Sequence, residues 1–234
     1  MQTYGGLTVR WVPVALTLAV YGWVLRTYRL GCEEMEGLGT VQVLFYCLFG
    51  LSVWSFVMCV WTDPGLATGY VVMTERSNLV GEFTYCGKCG SLRPARSHHC
   101  SQCNRCVLRR DHHCMWLGNC VGLHNHKQFV LLLLYTSLAC LVGVWRLSPA
   151  LTTIYEGNPQ VVLLAVVFAA IGLVLCLLCG YQICLLCTNR TSIDAQSWSK
   201  YNEYDTGSCL TNMQATCGSG CWLLPLNPHI SASY

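Results

Sequence analysis

The chain has very little charge: only 11% of its 234 residues are Asp, Glu, Lys or Arg, whereas soluble globular proteins average about 25%. This deficit argues against a soluble globular domain before any motif is considered. The formal net charge of +3 is too small to indicate a nucleic-acid partner. The sequence also lacks an obvious repeat array or recruitment domain, so partners would have to be recognised through short loops, tails or an accessory subunit.

Hydrophobic residues make up 53% of the chain, and four segments are long enough to cross a bilayer, which takes about 20 apolar residues. These segments cover about 11–28, 41–62, 128–147 and 161–187. The first is the weakest, because Arg26 must reach back to the membrane surface. It resembles a signal peptide in part, but no small-residue cleavage site follows it, and we favour a retained helix.

The predicted fold class is therefore an all-α membrane protein with four transmembrane helices and a small cytosolic zinc-binding Cys-rich domain between helices 2 and 3. Residues 1–62 contain the first two helices and a short lumenal loop, and residues 63–127 form the Cys-rich domain. Residues 128–187 contain the last two helices, and residues 188–234 form a cytosolic tail. The Cys-rich domain has few large apolar residues, so metal ions should stabilise it.

The basic residues favour one orientation of these helices. The loop 63–127 carries eight of the fourteen Lys and Arg residues, and three more near the termini bring that side to eleven. The opposite side keeps three: Arg26, Arg29 and Arg146. Because cytoplasmic loops are enriched in Lys and Arg, we expect a multi-pass membrane protein whose loop and both termini are cytosolic.

Cysteine is abundant, with 18 residues, and seven of them lie between positions 86 and 120. Paired Cys-x-x-Cys steps beside histidines suit zinc better than disulfides, and the cytosol keeps thiols reduced. Two zinc ions need eight ligands, but the seven cysteines and two histidines make nine, so one cysteine is left over. His98 is an alternative to His99 as a ligand. We expect His124 and His126 to lie at the surface or membrane interface.

Cys114 has the neighbours that a nucleophile needs. In an extended segment alternate side chains share a face, so His112 and Cys114 point one way and His113 points the other. His112 then faces the thiol as a base, and Asp111 orients the imidazole. Spacing alone leaves two interpretations open, a catalytic thiol and a zinc ribbon without activity.

These residues resemble the DHHC-type protein S-acyltransferases, or palmitoyltransferases. The similarity runs from Cys86 to Phe129 and is carried by Arg93-Pro94-x-Arg96-x-x-His99-Cys100, Cys106, Asp111-His112-His113-Cys114, Trp116, Asn119-Cys120, Gly122 and Asn125. Two further segments look like family motifs outside this region: Asp63-Pro64-Gly65 and Asn202-x-Tyr204-Asp205-x-Gly207.

The resemblance implies that Cys114 takes a palmitoyl group from palmitoyl-CoA and passes it to protein cysteines by two-step thioester exchange, with His112 as base and Asp111 as its partner. It implies one zinc held by Cys86, Cys89, His99 and Cys106, and a second held by Cys100, Cys103, His113 and Cys120. It further implies acyl-CoA contacts by Arg93, Arg96, Trp116 and Phe129, and supporting roles for Asn119 and Ser192. The substrates would be membrane-proximal proteins with cytosolic cysteines, at the Golgi or endoplasmic reticulum membrane.

The chain departs from the family pattern at two places. Met115 follows the signature cysteine, where many members have proline, and the Thr-Thr-x-Glu motif reads Thr191-Ser192-Ile193-Asp194. The shorter Asp194 could lower the rate by weakening the contact that this motif makes. Two other functions compete with the enzyme: an inactive membrane zinc scaffold, and a RING-type ubiquitin ligase, which the ligand spacing disfavours.

Overall fold

The computed structural model describes residues 7–33, 39–67, 83–152, 159–196 and 202–227, and these are predominantly helical. The four long helices are α1 (Leu7–Glu33), α2 (Thr40–Trp61), α3 (His126–Thr152) and α4 (Pro159–Cys187). After α4 the described residues form two short helices, α5 (Ser192–Gln196) and α6 (Cys209–Cys217).

Three segments in the described part of the chain are long and apolar enough to cross a membrane: Thr40–Trp61, His126–Ser148 and Pro159–Cys187. Large apolar side chains of α4, such as Leu173, Val174 and Leu177, are exposed on the outside of the helices, as expected for a surface that faces lipid. A membrane protein is therefore supported. The predicted number of four spans is not confirmed, because α1 is 27 residues long but is not among the three.

The long helices pack closely around α3, which contacts both α2 and α4. At Gly143 a side chain would collide with the ring of Phe168, and at Gly172 it would come within 2.8 Å of Cys140 Cβ. Small residues at such points let membrane helices approach each other.

In the described residues between α2 and α3, six short strands form three antiparallel hairpins. The first pairs β1 (Phe83–Cys86) with β2 (Ser91–Pro94), the second pairs β3 (His98–Cys100) with β4 (Arg105–Val107), and the third pairs β5 (His112–Cys114) with β6 (Asn119–Val121). The all-α prediction missed these hairpins, because strands of three or four residues that carry metal ligands have no hydrophobic alternation to reveal them.

The hairpin domain is joined to α2 by buried amide groups. Asn119 Nδ2 donates to the carbonyl oxygens of Cys59 and Thr62, each at 3.0 Å. These carbonyls lie at the C-terminal end of α2, where helices leave acceptors without partners. Gly122 lies so close to Pro64 that a Cβ there would be 2.6 Å from the Pro64 carbonyl oxygen. The third hairpin is thereby held against the end of a membrane helix.

Candidate active site

Two groups of cysteine and histidine residues could each hold a metal ion. The first ligand group is Cys86, Cys89, His99 and Cys106, and the second ligand group is Cys100, Cys103, His113 and Cys120. The ligand atoms of each group all lie within 4.8 Å of one another. The strands interleave the groups: β3 contributes His99 to the first group and Cys100 to the second.

The spacing of these ligand atoms suits tetrahedral zinc. With Zn–S of 2.3 Å and Zn–N near 2.05 Å, sulfurs should be about 3.8 Å apart, and sulfur and nitrogen about 3.6 Å apart. The Cys89–Cys106 and Cys103–Cys120 sulfur pairs are both 3.6 Å apart. His113 Nδ1 lies 3.4 to 3.6 Å from the three sulfurs of its group. The donor sets therefore fit closed structural zinc sites, which leave no position for a reacting molecule.

The second ligand group lies directly beside Cys114. His113 sits between His112 and Cys114 on β5, and the alternation of the strand puts His113 with the metal ligands while His112 turns towards Asp111. His112 Nδ1 donates to Asp111 Oδ2 at 2.7 Å, and its ring also hydrogen-bonds the Cys114 sulfur. Cys114 belongs to neither ligand group and is half-buried.

The electrostatics of this triad favour an ionised thiol. Burial opposes the charged imidazolium, but the hydrogen bonds to Asp111 and Cys114 outweigh it and raise the pKa of His112 to about 9. Burial likewise raises the pKa of a thiol, yet the hydrogen bond from His112 and the backbone N–H groups of Leu117 and Trp116 give Cys114 a net lowered pKa. The pKa of the imidazole is thus raised and that of the thiol is lowered, and both shifts favour transfer of the proton from the sulfur to the ring.

Asp111 is 1% exposed, and its carboxylate is surrounded by donors. Ser192 donates to it twice, from the backbone N–H to Oδ1 at 2.6 Å and from Oγ to Oδ2 at 3.0 Å. Gln182 Nε2 also donates to Oδ2, at 3.2 Å. Burial alone would raise the pKa of Asp111, but the hydrogen bonds from His112 and Ser192 keep it well below its usual value. Ser192 is thus placed in direct contact with the triad.

Apolar residues surround the sulfur on its membrane side. Cys114 packs against a buried cluster to which all four long helices contribute, through Val14, Phe56, Cys59, Phe129, Leu133 and Cys179. The Phe129 ring meets the His112 ring edge-on, with centroids 5.0 Å apart. Trp116, on the turn after Cys114, is 59% exposed. The Cys114 sulfur therefore lies at the border between an apolar interior and an open surface.

The two arginines expected at acyl-CoA phosphates have different surroundings. Arg93 is at the surface of the first hairpin, where its Nε donates to Thr84 Oγ1 at 3.1 Å. Arg96 is buried and donates to Asp194 Oδ2 at 2.7 Å and to the Asn189 carbonyl oxygen at 2.7 Å, while its guanidinium stacks over Tyr204. Four of its five N–H donors are used within the protein, and a contact of Arg96 with phosphate stays a prediction. Asp194, the shortened residue of the departing motif, is its partner.

Three buried residues behind the triad were not recognised from the sequence as neighbours of the site. His126 was expected at the surface or membrane interface but has 0% exposure. Arg109 Nη1 lies 2.9 Å from its Nδ1, and Gln182 Oε1 lies 2.9 Å from its Nε2. Arg109 was counted only as a loop charge. Gln182 had a usable signal, since it is the one amide side chain between Val161 and Cys187, and polar residues in membrane helices tend to be functional.

Comparison with known proteins gives a consistent result. Residues 79–199 match the family model described as DHHC palmitoyltransferase. Palmitoyltransferase pfa3 of Neurospora crassa is 39% identical over 86% of this chain and 36% of its own length. Palmitoyltransferase ZDHHC15A of Danio rerio is 31% identical over 79% of this chain and 69% of its own. Probable protein S-acyltransferase 13 of Arabidopsis thaliana is 35% identical over 97% of this chain and 86% of its own. The chain thus spans only about a third of the fungal relative.

Proposed function

Because the chain belongs to the DHHC palmitoyltransferase family, as its resemblance indicated, we propose that it is a protein S-acyltransferase that carries a palmitoyl group on Cys114. The single observation that carries the proposal is the hydrogen-bonded series Asp111–His112–Cys114 at the edge of an apolar cluster. A purely structural zinc domain has no need of a thiol with a lowered pKa beside a buried acid and an imidazole.

In the first step the Cys114 thiolate attacks the thioester carbonyl carbon of palmitoyl-CoA. The carbon–sulfur bond to coenzyme A breaks, and the departing thiolate takes the proton held on His112. The charged imidazole, stabilised by Asp111, is thus a ready acid for the leaving group.

In the second step a cysteine of a membrane-proximal protein gives its proton to His112 and attacks the Cys114 thioester. The acyl group moves to the substrate sulfur, and the Cys114 thiolate is restored beside a charged His112. Each step exchanges one thioester for another, so neither needs a large driving force, and positioning dominates the rate.

The apolar cluster beside Cys114 suits the acyl chain. Burial contributes about 0.8 kcal/mol per CH₂, or roughly 12 kcal/mol for a C16 chain. Val14, Phe56 and Leu133 present apolar surface from three different helices to this cluster. Phe129 and Trp116 are proposed to line the entrance to this region, with Arg93 at the surface for the coenzyme A phosphates.

We propose that α1 is a fourth transmembrane helix. At 1.5 Å per residue, its 27 residues reach about 40 Å, which exceeds the hydrocarbon thickness of about 30 Å. Its Tyr28 stacks on Phe45 of α2, with ring centroids 3.7 Å apart, while Leu16 and Val20 remain exposed. With four spans both termini lie on the same side as the hairpin domain. Because this side carries most of the Lys and Arg residues, it is proposed to be the cytosolic side of a Golgi or endoplasmic reticulum membrane.

Two zinc ions are proposed as structural cofactors, held by the first and second ligand groups. When bound, they would supply rigidity to hairpins too small to fold around a core. This role leaves Cys114 free, and purified protein is expected to contain two zinc ions per chain.

Incubation of the purified full-length protein with radiolabelled palmitoyl-CoA tests the proposal. We expect a hydroxylamine-sensitive label on the wild-type protein and none on Cys114→Ser. The matched control is Cys184→Ser, which removes an exposed thiol at the end of α4 and should keep the label. A label that persists in Cys114→Ser would move the nucleophile elsewhere, and no label on the wild type would favour the zinc scaffold.

A further inference from the structure

A chain of hydrogen-bonded, buried polar side chains leads away from the triad at Asp111. It runs from Arg109 through His126 and Gln182 to Asp111, with contacts of 2.9, 2.9 and 3.2 Å. Its members come from three regions: the segment before β5, the start of α3 and the end of α4. All are at most 2% exposed, and Asp111 is the one member that the proposed reaction uses.

The chemistry of its ends fixes the direction of every hydrogen bond in this chain. Asp111 is a carboxylate that only accepts, so Gln182 must turn its Nε2 towards it and its Oε1 towards His126. His126 Nε2 therefore carries the proton that is donated to Gln182. Its Nδ1 is then an acceptor, as it must be beside the Arg109 guanidinium, which only donates. Each donor meets an acceptor, and no other arrangement of protons satisfies all the members.

Arg109 is itself held in place at the start of this chain. It is buried, and its Nη2 also donates to Asn189 Oδ1 and to the Arg190 carbonyl oxygen, both at 3.3 Å. Its backbone has a φ of 42°, in the left-handed region that costs non-glycine residues free energy. Strain of this kind persists only where the surroundings impose it, and here it lies two residues before Asp111.

We propose that Arg109, His126 and Gln182 are positioning residues, a one-directional hydrogen-bond relay that holds the Asp111 carboxylate in the orientation that His112 requires. This inference rests on the proposed acyl-transfer function. Asp111 Oδ2 accepts from His112, Ser192 and Gln182, and Gln182 is the member that links it to the membrane helices. Loss of the relay would let the carboxylate rotate, so that the His112 ring no longer stays aligned with the Cys114 sulfur.

The test uses full-length, zinc-loaded protein in lipid nanodiscs and the variant Gln182→Met, which keeps length and removes both hydrogen bonds. We expect kcat to fall about tenfold with the KM for palmitoyl-CoA within about twofold, since alignment and not binding is lost. The alkylation rate of Cys114 by iodoacetamide, followed by mass spectrometry of its peptide, should fall in parallel.

The matched control is Gln128→Met. Gln128 is a second fully buried glutamine, but its Nε2 donates to Leu226 and Asn227 in the tail. We expect Gln128→Met to lower thermal stability as Gln182→Met does, without changing kcat or the alkylation rate. Equal losses of kcat in both variants would show that Gln182 is merely structural and would overturn the relay.

A second pair of variants tests the relay even if Gln182→Met does not fold. His126→Gln keeps one acceptor for Arg109 and one donor for Gln182, whereas His126→Leu keeps neither. We expect the Gln variant to recover most of the kcat that the Leu variant loses, with two zinc ions per chain in both. Equal kcat in the two would contradict the relay. A wild-type protein that takes no label on Cys114 would instead refute the proposed function, so the two failures are distinguishable.

Discussion

The two ligand groups have the same composition, three cysteines and one histidine each, but very different positions relative to Cys114. The first group joins the first hairpin to the second and includes no neighbour of the nucleophile. The second group joins the second hairpin to the third, and His113 ties β5 to it between His112 and Cys114. Similar metal sites can thus brace a domain or align a reactive residue, depending only on which strand carries the histidine.

The largest expected effect comes from breaking the second ligand group. Cys120→Ser removes one of four ligands, so one zinc per chain should be lost and His113 released. The effect should be large, because structural zinc contributes on the order of 10 kcal/mol to the folding of such small domains. The displacement of His112 and Cys114 should lower the rate of single-turnover acylation by at least about a hundredfold, as misplacement of reacting groups does. Labelled palmitoyl-CoA and metal analysis measure both consequences.

The same experiment on the first ligand group sharpens the comparison. Cys89→Ser should also release one zinc, but β5 remains tied to the second group. We expect acylation to fall only about tenfold, since the rigidity of the domain is lost while the near-attack geometry persists. If Cys89→Ser and Cys120→Ser inactivate equally, the two groups form one cooperative unit and the proposed division between them is wrong.

The sequence could predict those features that depend on local patterns of residues. The ligands were recognisable because Cys-x-x-Cys steps are local patterns, and the left-over thiol emerged from counting them. The alternation of His112 and His113 followed from strand geometry over three residues. The apolar segments predicted α2, α3 and α4 as membrane helices because composition alone carries that signal.

The residues that hold Asp111 could not be predicted in this way. Gln182 and Asp111 are 71 positions apart, and Arg96 and Asp194 are 98 apart, so no local pattern connects them. A buried arginine or histidine has the same letter as an exposed one, and only the packing of α3 and α4 against the hairpins decides its surroundings. The expectation that His126 lies at the surface or membrane interface therefore did not include its burial between Arg109 and Gln182.

A smaller effect is expected at the contact between the hairpin domain and the segment after α4. Arg96 and Asp194 form an ion pair whose side chains are 4% and 23% exposed, and Asp194 also accepts from the Thr191 backbone N–H beside Ser192. Arg96→Met removes the buried cation of this pair, and breaking a buried ion pair by removing one partner costs about 3–5 kcal/mol. We expect a lower thermal midpoint and weaker acylation, as Ser192 shifts from Asp111.

Arg105→Met is the control for that contact. Arg105 pairs with Asp63, but these side chains are 22% and 55% exposed, and exposed pairs contribute about 0–1 kcal/mol. Thermal unfolding of the two variants should therefore differ by several degrees. Equal midpoints would mean that Arg96 is no more important than an ordinary surface charge.

The smallest effect is expected at Arg93, which lies at the surface of the first hairpin and belongs neither to the triad nor to a ligand group. If it meets the phosphates of the acyl donor, Arg93→Gln should raise the KM for palmitoyl-CoA about threefold with kcat unchanged, because binding is lost equally from the ground and transition states. Salt should reduce the difference between Arg93→Gln and wild type, since screening weakens exposed charge pairs. Lys88→Gln, on the turn of the same hairpin, removes an equal charge and should leave KM unchanged. A rise in KM of the same size in both variants would indicate a general electrostatic attraction of the anionic donor to this hairpin, and not a contact specific to Arg93.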